Sequence, residues 1–452
     1  MRVAIAAGLF DDTTKAASHR ARALAEELAS LGHEVTVLAP QTDNPAPPPV
    51  GVKVWRLPPH SNLLLPQQHA AKLALRLLAQ LVTAPTVPTL ACLRLVRSRG
   101  SSKKLDDRWT HVAERRYSSV LRLEQLMSLG LWSRTLKRQL SALGGRQSLF
   151  DVVVSTSAPM GRAIRDSGLA LAWVNDFRDP MPSPSFLGLL NLALRRMQNK
   201  DLRDADVTTA VSEGVAASLA GKGPRRRKRS PIVILTNGFR ERDPKLRQLP
   251  EAREGGTLRI GYTGEVSPRQ RPELLRFLQS AGEARKTFPG GNLEFHYAGR
   301  AGVLVRQLAE EAGMADATVL HGRVDHARSL ELQSEMDELL VLSHNNPGNE
   351  GILSGKFLEY LDANRPIIAA VGGSLPGSEL RSIIEKTRVG VCSERAAGDG
   401  ESARLVLHIV EGLRAKTQGE NLAFEPDRTE VGRYSYTAIA KRLSELLEEL
   451  FD

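Results

Sequence analysis

The sequence has 452 residues, 41% of them hydrophobic and 25% charged, which is ordinary globular usage and excludes both wholesale disorder and a many-helix membrane protein. Its 62 Lys and Arg against 51 Asp and Glu give a net charge of +11, and its two cysteines, Cys92 and Cys392, exclude a disulfide framework and a Cys-based zinc site. At roughly 100–200 residues per domain, the length predicts about two to four domains.

The chain opens on a short apolar run, residues 3–7, whose following acids read as a strand running into a loop rather than a secretion signal. A helix is predicted over 15–31, closed by Gly32-His33, and a strand over 34–39, which together make a βαβ opening. Further strands are expected at 52–57, 151–155, 171–175, 207–210 and 232–235, with helical segments between them. Residues 62–147 have helical composition without a strand signal and read as an insertion. A polar stretch at 240–256, containing Pro244, Pro250 and Gly255-Gly256, reads as a linker. The second half repeats the pattern, with strands at 258–262, 293–298, 318–320, 339–343, 366–370 and 389–392 and helices at 272–282 and 303–312. Alternation of this kind predicts an α/β protein of two Rossmann-like, doubly wound domains. The first is expected over 1–245, joined by a C-terminal helix at 432–452, and the second over 246–431.

The charge is polarised along this division. Residues 1–250 hold 38 Lys and Arg against 20 Asp and Glu, net +18, while residues 251–452 are net −7. Residues 72–97, with Lys72, Arg76, Arg94 and Arg97 among Leu, Val and Ala, are compatible with a basic amphipathic element on an anionic membrane face. The uncharged stretch 77–93 is only 17 residues long and contains Pro85 and Pro88, so it is not read as a spanning helix. The basic run Arg225–Arg229 reads as a solvated loop, since no helix-turn-helix, zinc-finger or aromatic-rich RNA-binding pattern accompanies it; no nucleic-acid partner is expected. The protein is expected in the cytoplasm, peripheral on the inner face of the cell membrane.

Residues 345–366, NNPGNEGILSGKFLEYLDANRP, are the most informative segment. They follow a strand, and in open α/β sheets ligands bind at the carboxyl ends of strands. Gly348, Gly351 and Gly355 permit close backbone approach, and Ser354 can cap the following helix. A helix N-terminus offers unpaired N–H groups and a positive dipole end for phosphate. Lys356 adds a cation in the first turn, and Glu359, on the same helix face, offers a carboxylate for a ribose diol. Phosphate site, cation and diol acceptor on one turn describe a seat for a nucleotide diphosphate.

The string GILSGKFLEYLDANRPIIA resembles the donor-binding motif of the family 4 glycosyltransferases. GHEVTVLAP, WVNDFRDP, ADVTTAVSEGVAASL, VILTNGF and RIGYTGEVSPRQRPELLRFL resemble other segments of that family in the same order along nearly the whole chain. The resemblance implies the GT-B fold, two Rossmann-like domains facing a central cleft. It also implies retaining, metal-independent transfer of a sugar from a nucleotide-diphosphate donor, with no cofactor beyond that co-substrate. The acceptor could be a glycan, a lipid-linked group or a small molecule.

Carried onto this chain, the resemblance has Lys356 and the backbone at Ser354-Gly355 hold the diphosphate and Glu359 bind the ribose, with Gly351 in the supporting loop. Glu350 and Glu359 lie one residue further apart than the family's usual glutamate pair, which leaves open whether Glu350, beside Asn346 and Asn349, contacts the donor sugar. A second phosphate contact is expected from the loop 264–271, which begins at Gly264 and offers Arg269 and Arg271; Arg269 is favoured because it lies further from the helix. Arg323, in Gly322-Arg323-Val324, falls where the family places its nucleobase pocket. In the first domain, Arg178-Asp179 occupies a place where relatives often carry His-Asp; Arg178 cannot be a base but can stabilise negative charge, with Asp179 orienting it. The alternative at this position is a buried Arg–Asp bridge. Gly8 and Lys15 mark an acceptor-side loop that lacks the paired glycines of relatives. Asp204 and Asp206 match a D-x-D string but sit where a helix meets a strand, and no metal role is assigned to them. His33 reads as structural. Two further functions fit the same architecture: a sugar-nucleotide epimerase, and a non-catalytic binding protein at a membrane.

Overall fold

In the computed structural model of the chain the described residues are 1–12, 16–57, 137, 140, 141, 148–156, 158–178, 188–220, 230–249 and 256–452. The expected insertion, its basic amphipathic stretch, Arg225–Arg229, Lys15 and Asp179 therefore lie outside the described residues, apart from three positions of the insertion. Two compact units are present: Met1–Thr209, Lys222–Val233 and Ser444–Asp452 make the first, and Ala210–Gly221 and Ile234–Leu443 the second.

Elements of the first unit begin with β1 (Arg2–Ala6), α1 (Ala16–Ser30), β2 (Glu34–Pro40), β3 (Lys53–Leu57) and β4 (Phe150–Ser155). They continue with α2 (Ala158–Asp166), β5 (Ala170–Phe177), α3 (Gly188–Asp204), β6 (Val207–Ala210), α4 (Glu213–Ala220) and β7 (Ile232–Ile234), of which α4 belongs to the second unit. The sheet order is β3-β2-β1-β4-β5-β6-β7. β1 lies parallel to both β2 and β4, Ile5 standing beside Val37 and Val154. Its apolar residues are buried without alternation, as expected of a parallel strand covered on both faces. His33, which closes α1, is buried and shares a 2.6 Å hydrogen bond with Ser444, fastening the end of the chain to this unit.

The second unit contains β8 (Thr257–Thr263), α5 (Arg271–Thr287), β9 (Asn292–Ala298), α6 (Gly302–Glu311), β10 (Thr318–Gly322) and α7 (His326–Glu335). It continues through β11 (Glu338–Asn345), α8 (Gly355–Ala363), β12 (Ile367–Gly373), α9 (Glu379–Thr387), β13 (Gly390–Glu394), α10 (Gly400–Thr417), α11 (Arg428–Gly432) and α12 (Tyr436–Glu448), of which α12 belongs to the first unit from Ser444 onward. Its parallel sheet has the order β10-β9-β8-β11-β12-β13. One face buries Leu258, Ile260, Phe295 and Leu340 against Phe277 of α5, Leu308 of α6, and Leu405, Ile409 and Leu413 of α10. The other face buries Leu339, Val341 and Ile367 against Phe357 and Leu361 of α8 and Ile384 of α9. Each such side chain contributes about 1.5–3 kcal/mol when fully buried.

The strands appear where the apolar runs predict them, but helix ends differ. The helix expected over 272–282 runs through to Thr287, because Gly282 is a packing position and not a stop. A Cβ on Gly282 would stand 2.7 Å from the carbonyl oxygen of Ala312. The polar stretch after residue 240 is also no loose tether as far as Leu249. Arg242 is buried and binds Asp362 through its backbone N–H at 2.8 Å and its Nε at 3.1 Å, and Arg247 reaches the other oxygen of Asp362 at 2.5 Å. The fully buried guanidinium of Arg365 donates to the carbonyls of Met336, Ser334 and Arg247.

His408 of α10 binds the buried Glu338 at 2.6 Å. Burial works against its charge, but the Glu338 carboxylate outweighs this and raises the His408 pKa above the usual histidine value. A raised folded-state pKa means stability present in full below about pH 6.5 and lost as pH rises through the folded value. The difference in melting temperature between wild type and His408→Gln is therefore expected to be largest near about pH 6 and to shrink towards about pH 9. A difference that stays constant across that range would contradict the charged pair.

Candidate functional site

The second sheet reverses its strand order between β8 and β11: β8 leads outward to β9 and β10, and β11 leads the other way to β12 and β13. Loops leaving the carboxyl ends of two such strands diverge and leave a crevice where open α/β sheets bind ligands. Here those loops are 264–270 and 346–354, the two segments in which the sequence places most of its candidate residues.

α8 starts at this point. Ser354 has extended backbone angles, and its Oγ accepts from the N–H of Phe357 at 3.2 Å, the capping role expected of it. The N–H groups of Gly355 and Lys356 have no acceptor among the described residues, so the first turn keeps two donors and the positive end of its dipole for an anion. Lys356 Nζ donates to Glu359 Oε1 at 2.9 Å, and Gln333 Nε2 donates to the same oxygen at 2.5 Å. His326 Nδ1 lies 3.8 Å from Glu359 Oε2. Burial pushes the Glu359 pKa up, but Lys356, the Gln333 hydrogen bond and His326 more than compensate and hold it below the ordinary value. Glu359 is thus an ionised, acceptor-only group at neutral pH. The two side chains expected to hold different parts of a ligand are joined to one another. Both are partly exposed, Lys356 more so than Glu359, so the ammonium can exchange its carboxylate for an incoming anion.

Gly264 directly follows β8 beside Lys356, whose Cγ would lie 3.7 Å from a Cβ at that glycine. Arg269 is exposed and close enough to His344 of β11 to lower the histidine's pKa, although burial is the larger cause. Arg271 is the first residue of α5, and Arg323 follows Gly322 at the end of β10; both are exposed. None of these three arginines pairs with a carboxylate among the described residues. The structure therefore gathers Lys356, Glu359 and Gly264, brings Arg269 to the end of β11, and leaves Arg271 and Arg323 on the surrounding surface.

Glu350 is half-buried, and its side chain has no hydrogen-bond or ion partner among the described residues. Its neighbour Gly351 is held at φ +70°, where a side chain would be strained and its Cβ would stand 2.7 Å from Glu379 Oε2 and 2.8 Å from the Cα of Gly214. The Glu379 carboxylate accepts from the N–H groups of Glu213 at 3.0 Å and Gly214 at 3.1 Å, closing the start of α4. Burial raises the Glu379 pKa despite those bonds. Sequence reasoning missed Gly214 and Glu379, since no local pattern announces a contact between residues 165 apart. A glycine early in a helix was the one available signal.

In the first unit, Arg178 directly follows β5 and is half-buried. A separate buried Arg–Asp bridge stands at this strand end, where Asp176 accepts from Arg20 Nε and Nη2, both at 2.9 Å, and from Thr209 at 2.7 Å. Gly8 is exposed just beyond β1, and a Cβ there would be 3.9 Å from Met160 Sδ, so local space does not require glycine. Asp206 accepts from the N–H of Trp173 at 2.7 Å, and Asp204 lies 3.7 Å from Arg162, which gives the D-x-D string a structural explanation. Among the described residues no group of three His, Cys, Asp or Glu side chains could hold a metal ion. No described helix is long and apolar enough to cross a membrane.

Residues 16–238 match the family described as the glycosyl transferase 4-like domain. No curated protein matches the chain significantly. Among solved structures, sucrose-phosphate synthase from Thermosynechococcus elongatus is similar with a TM-score of 0.58 at 14% identity, covering 100% of this chain and 99% of that one. The lipopolysaccharide outer core galactosyltransferase WaaB in its apo form gives 0.57 at 13% identity, covering 99% of each chain. HepE of Anabaena, in complex with UDP and glucose, gives 0.53 at 12% identity, again covering 99% of each. These likenesses are of fold.

A Cβ on Gly214 would stand 2.5 Å from the carbonyl carbon and oxygen of Glu350. Gly214→Ala is therefore expected to destabilise the second unit by about 1–3 kcal/mol, a range typical of overpacking. Denaturant unfolding of the variant checks this; a midpoint equal to that of wild type would show that the loop bearing Glu350 does not rest on α4.

Proposed function

We propose that this chain, whose residues 16–238 match the glycosyl transferase 4-like domain family and whose units carry the GT-B fold, transfers a sugar from a nucleotide-diphosphate donor to an acceptor. The observation that carries this reading is the pairing of Lys356 with an ionised Glu359 on the first turns of a helix that begins with two unbonded N–H groups. In this reading the diphosphate lies on the amides of Gly355 and Lys356, with Lys356 Nζ and Arg269 as its cations. Glu359 accepts from the ribose hydroxyls. Glu350 and the adjacent asparagines face the donor sugar, and backbone around Gly322-Arg323 receives the base. Arg271 remains the substitute for Arg269.

Transfer with retention follows from the resemblance to family 4. The bond between the anomeric carbon and the diphosphate oxygen breaks, and an acceptor oxygen bonds to that carbon on the same face. The acceptor hydroxyl proton passes to the departing diphosphate oxygen. Negative charge developing on that group is met by Lys356, Arg269 and the α8 dipole. That is the task a divalent ion performs in metal-dependent transfer, so neither a metal nor another cofactor is required. Arg178 and Asp179 are assigned to the acceptor side of the reaction, with the loop from Gly8 to Lys15.

Lys356→Ala is expected to weaken binding of the best nucleoside diphosphate, chosen from UDP, GDP and ADP, by about 10–100-fold, the value of a charge-assisted hydrogen bond or two. In the same calorimetric titrations, EDTA is expected to leave wild-type affinity unchanged. Full affinity in the variant would remove the proposed seat.

The net charge of +18 over residues 1–250 supports an anionic membrane surface as a partner and a lipid-borne acceptor for the reaction. Co-sedimentation with vesicles rich in phosphatidylglycerol is expected in low salt and to fall steeply above about 0.3 M salt, as screening requires. Equal recovery with neutral phosphatidylcholine vesicles would contradict an electrostatic partner.

A further inference from the structure

Glu359 is reached by a second buried residue that the reading above leaves without a task. Gln333, on α7, is fully buried, and its side-chain amide lies between a cation and a carboxylate. Arg242 Nη2 donates to Gln333 Oε1 at 3.1 Å, and Gln333 Nε2 donates to Glu359 Oε1 at 2.5 Å. A guanidinium can only donate and an ionised carboxylate can only accept, so the two ends of the amide cannot be exchanged. Arg242 itself is fixed by Asp362 and by the backbone carbonyl of Glu359, which it meets at 2.7 Å. Gln333 Nε2 also faces Thr263 Oγ1 at 3.0 Å, at the carboxyl end of β8.

We propose that Gln333, oriented by Arg242, is a positioning residue that turns Glu359 Oε1 inward and leaves Oε2 to accept from a ribose diol. The inner oxygen already receives two donors, from Gln333 and Lys356, while the outer one has only His326 at 3.8 Å among the described residues. One carboxylate oxygen is therefore anchored and the other presented. Without the anchor, rotation of the Glu359 side chain would spread both oxygens over several directions, and the site would lose selectivity for a diol before it lost affinity for phosphate. The inference rests on the assignment of Glu359 to the ribose, and it adds that the preference for ribose is set from the far side of the carboxylate. It also makes Arg242, in the segment that enters the second unit, part of what orders the ligand site.

The test compares the tightest-binding of UDP, GDP and ADP with its 2′,3′-dideoxy counterpart by calorimetry, in wild type, Gln333→Met and Gln333→Glu. Wild type is expected to prefer the ribose form by about tenfold or more, as sites built to hydrogen-bond a hydroxyl do. Gln333→Met removes both hydrogen-bonding ends at similar volume. Gln333→Glu keeps an oxygen for Arg242, which protects the fold, but turns a second oxygen towards Glu359. In both variants the preference is expected to fall to within about threefold while binding of the dideoxy form stays unchanged, since only the hydrogen bond to the diol is lost. Lowering the pH is expected to restore the preference in Gln333→Glu, because one proton shared between two carboxyl groups returns a donor to Glu359. A variant that keeps the wild-type preference overturns the positioning role, as does an equal loss of both ligands, which would mark Gln333 as structural. Absence of any preference in wild type would instead overturn the assignment of Glu359 to the ribose.

Discussion

Two carboxylates on one short helix, Glu359 and Asp362, are drawn out of water, and the organisation of the second unit follows from how their charge is met. Leaving a carboxylate buried without partners costs several kcal/mol, so each must be surrounded by donors. Asp362 takes Arg242 and Arg247, which pins residues 240–249 against α8. Glu359 takes Lys356 and Gln333, and Gln333 is in turn held by Arg242. The same network reaches β8, where Gln333 meets Thr263 and the N–H of Thr263 donates to Tyr360 at 3.0 Å. Strand end, helix start and entering segment are tied together through one chain of charged and polar groups.

This arrangement separates support from exposure. The buried members Asp362 and Gln333, and the Nε and Nη2 of Arg242, are engaged with protein, while Lys356 and Glu359 at the outer end are partly exposed. A site of that form has its geometry fixed before a ligand arrives and has one partly exposed ion pair to give up when one does. The loop of Glu350 is supported separately, by Gly214 and by the Glu379 carboxylate at the start of α4. The two glutamates of the motif thus depend on different neighbours, and changes to one support are not expected to disturb the other.

Much of this was legible in the sequence, for reasons that show where legibility ends. Strands such as β1 and β11 are continuous apolar runs bounded by loop residues, so their existence needs no tertiary information. The Ser354 cap and the meeting of Lys356 with Glu359 are fixed by spacing within one helix. Gln333 and Arg242 were invisible because an amide on α7 and an arginine after β7 meet Glu359 only when the sheet brings together positions 26 and 117 residues apart. The same holds for Arg20 with Asp176, 156 residues apart, a buried bridge that no local pattern announces. Gly282 misled in the opposite way: its glycine signal marks close contact with Ala312 and not the end of a helix.

The central claim is that the start of α8 holds a nucleotide diphosphate. A crystal structure of the protein with the nucleoside diphosphate it binds most tightly would test it directly. Phosphate oxygens are expected on the N–H groups of Gly355 and Lys356, with Lys356 Nζ moved from Glu359 to the phosphate and ribose hydroxyls on Glu359. A nucleotide bound elsewhere, with the Lys356–Glu359 pair intact, would contradict it.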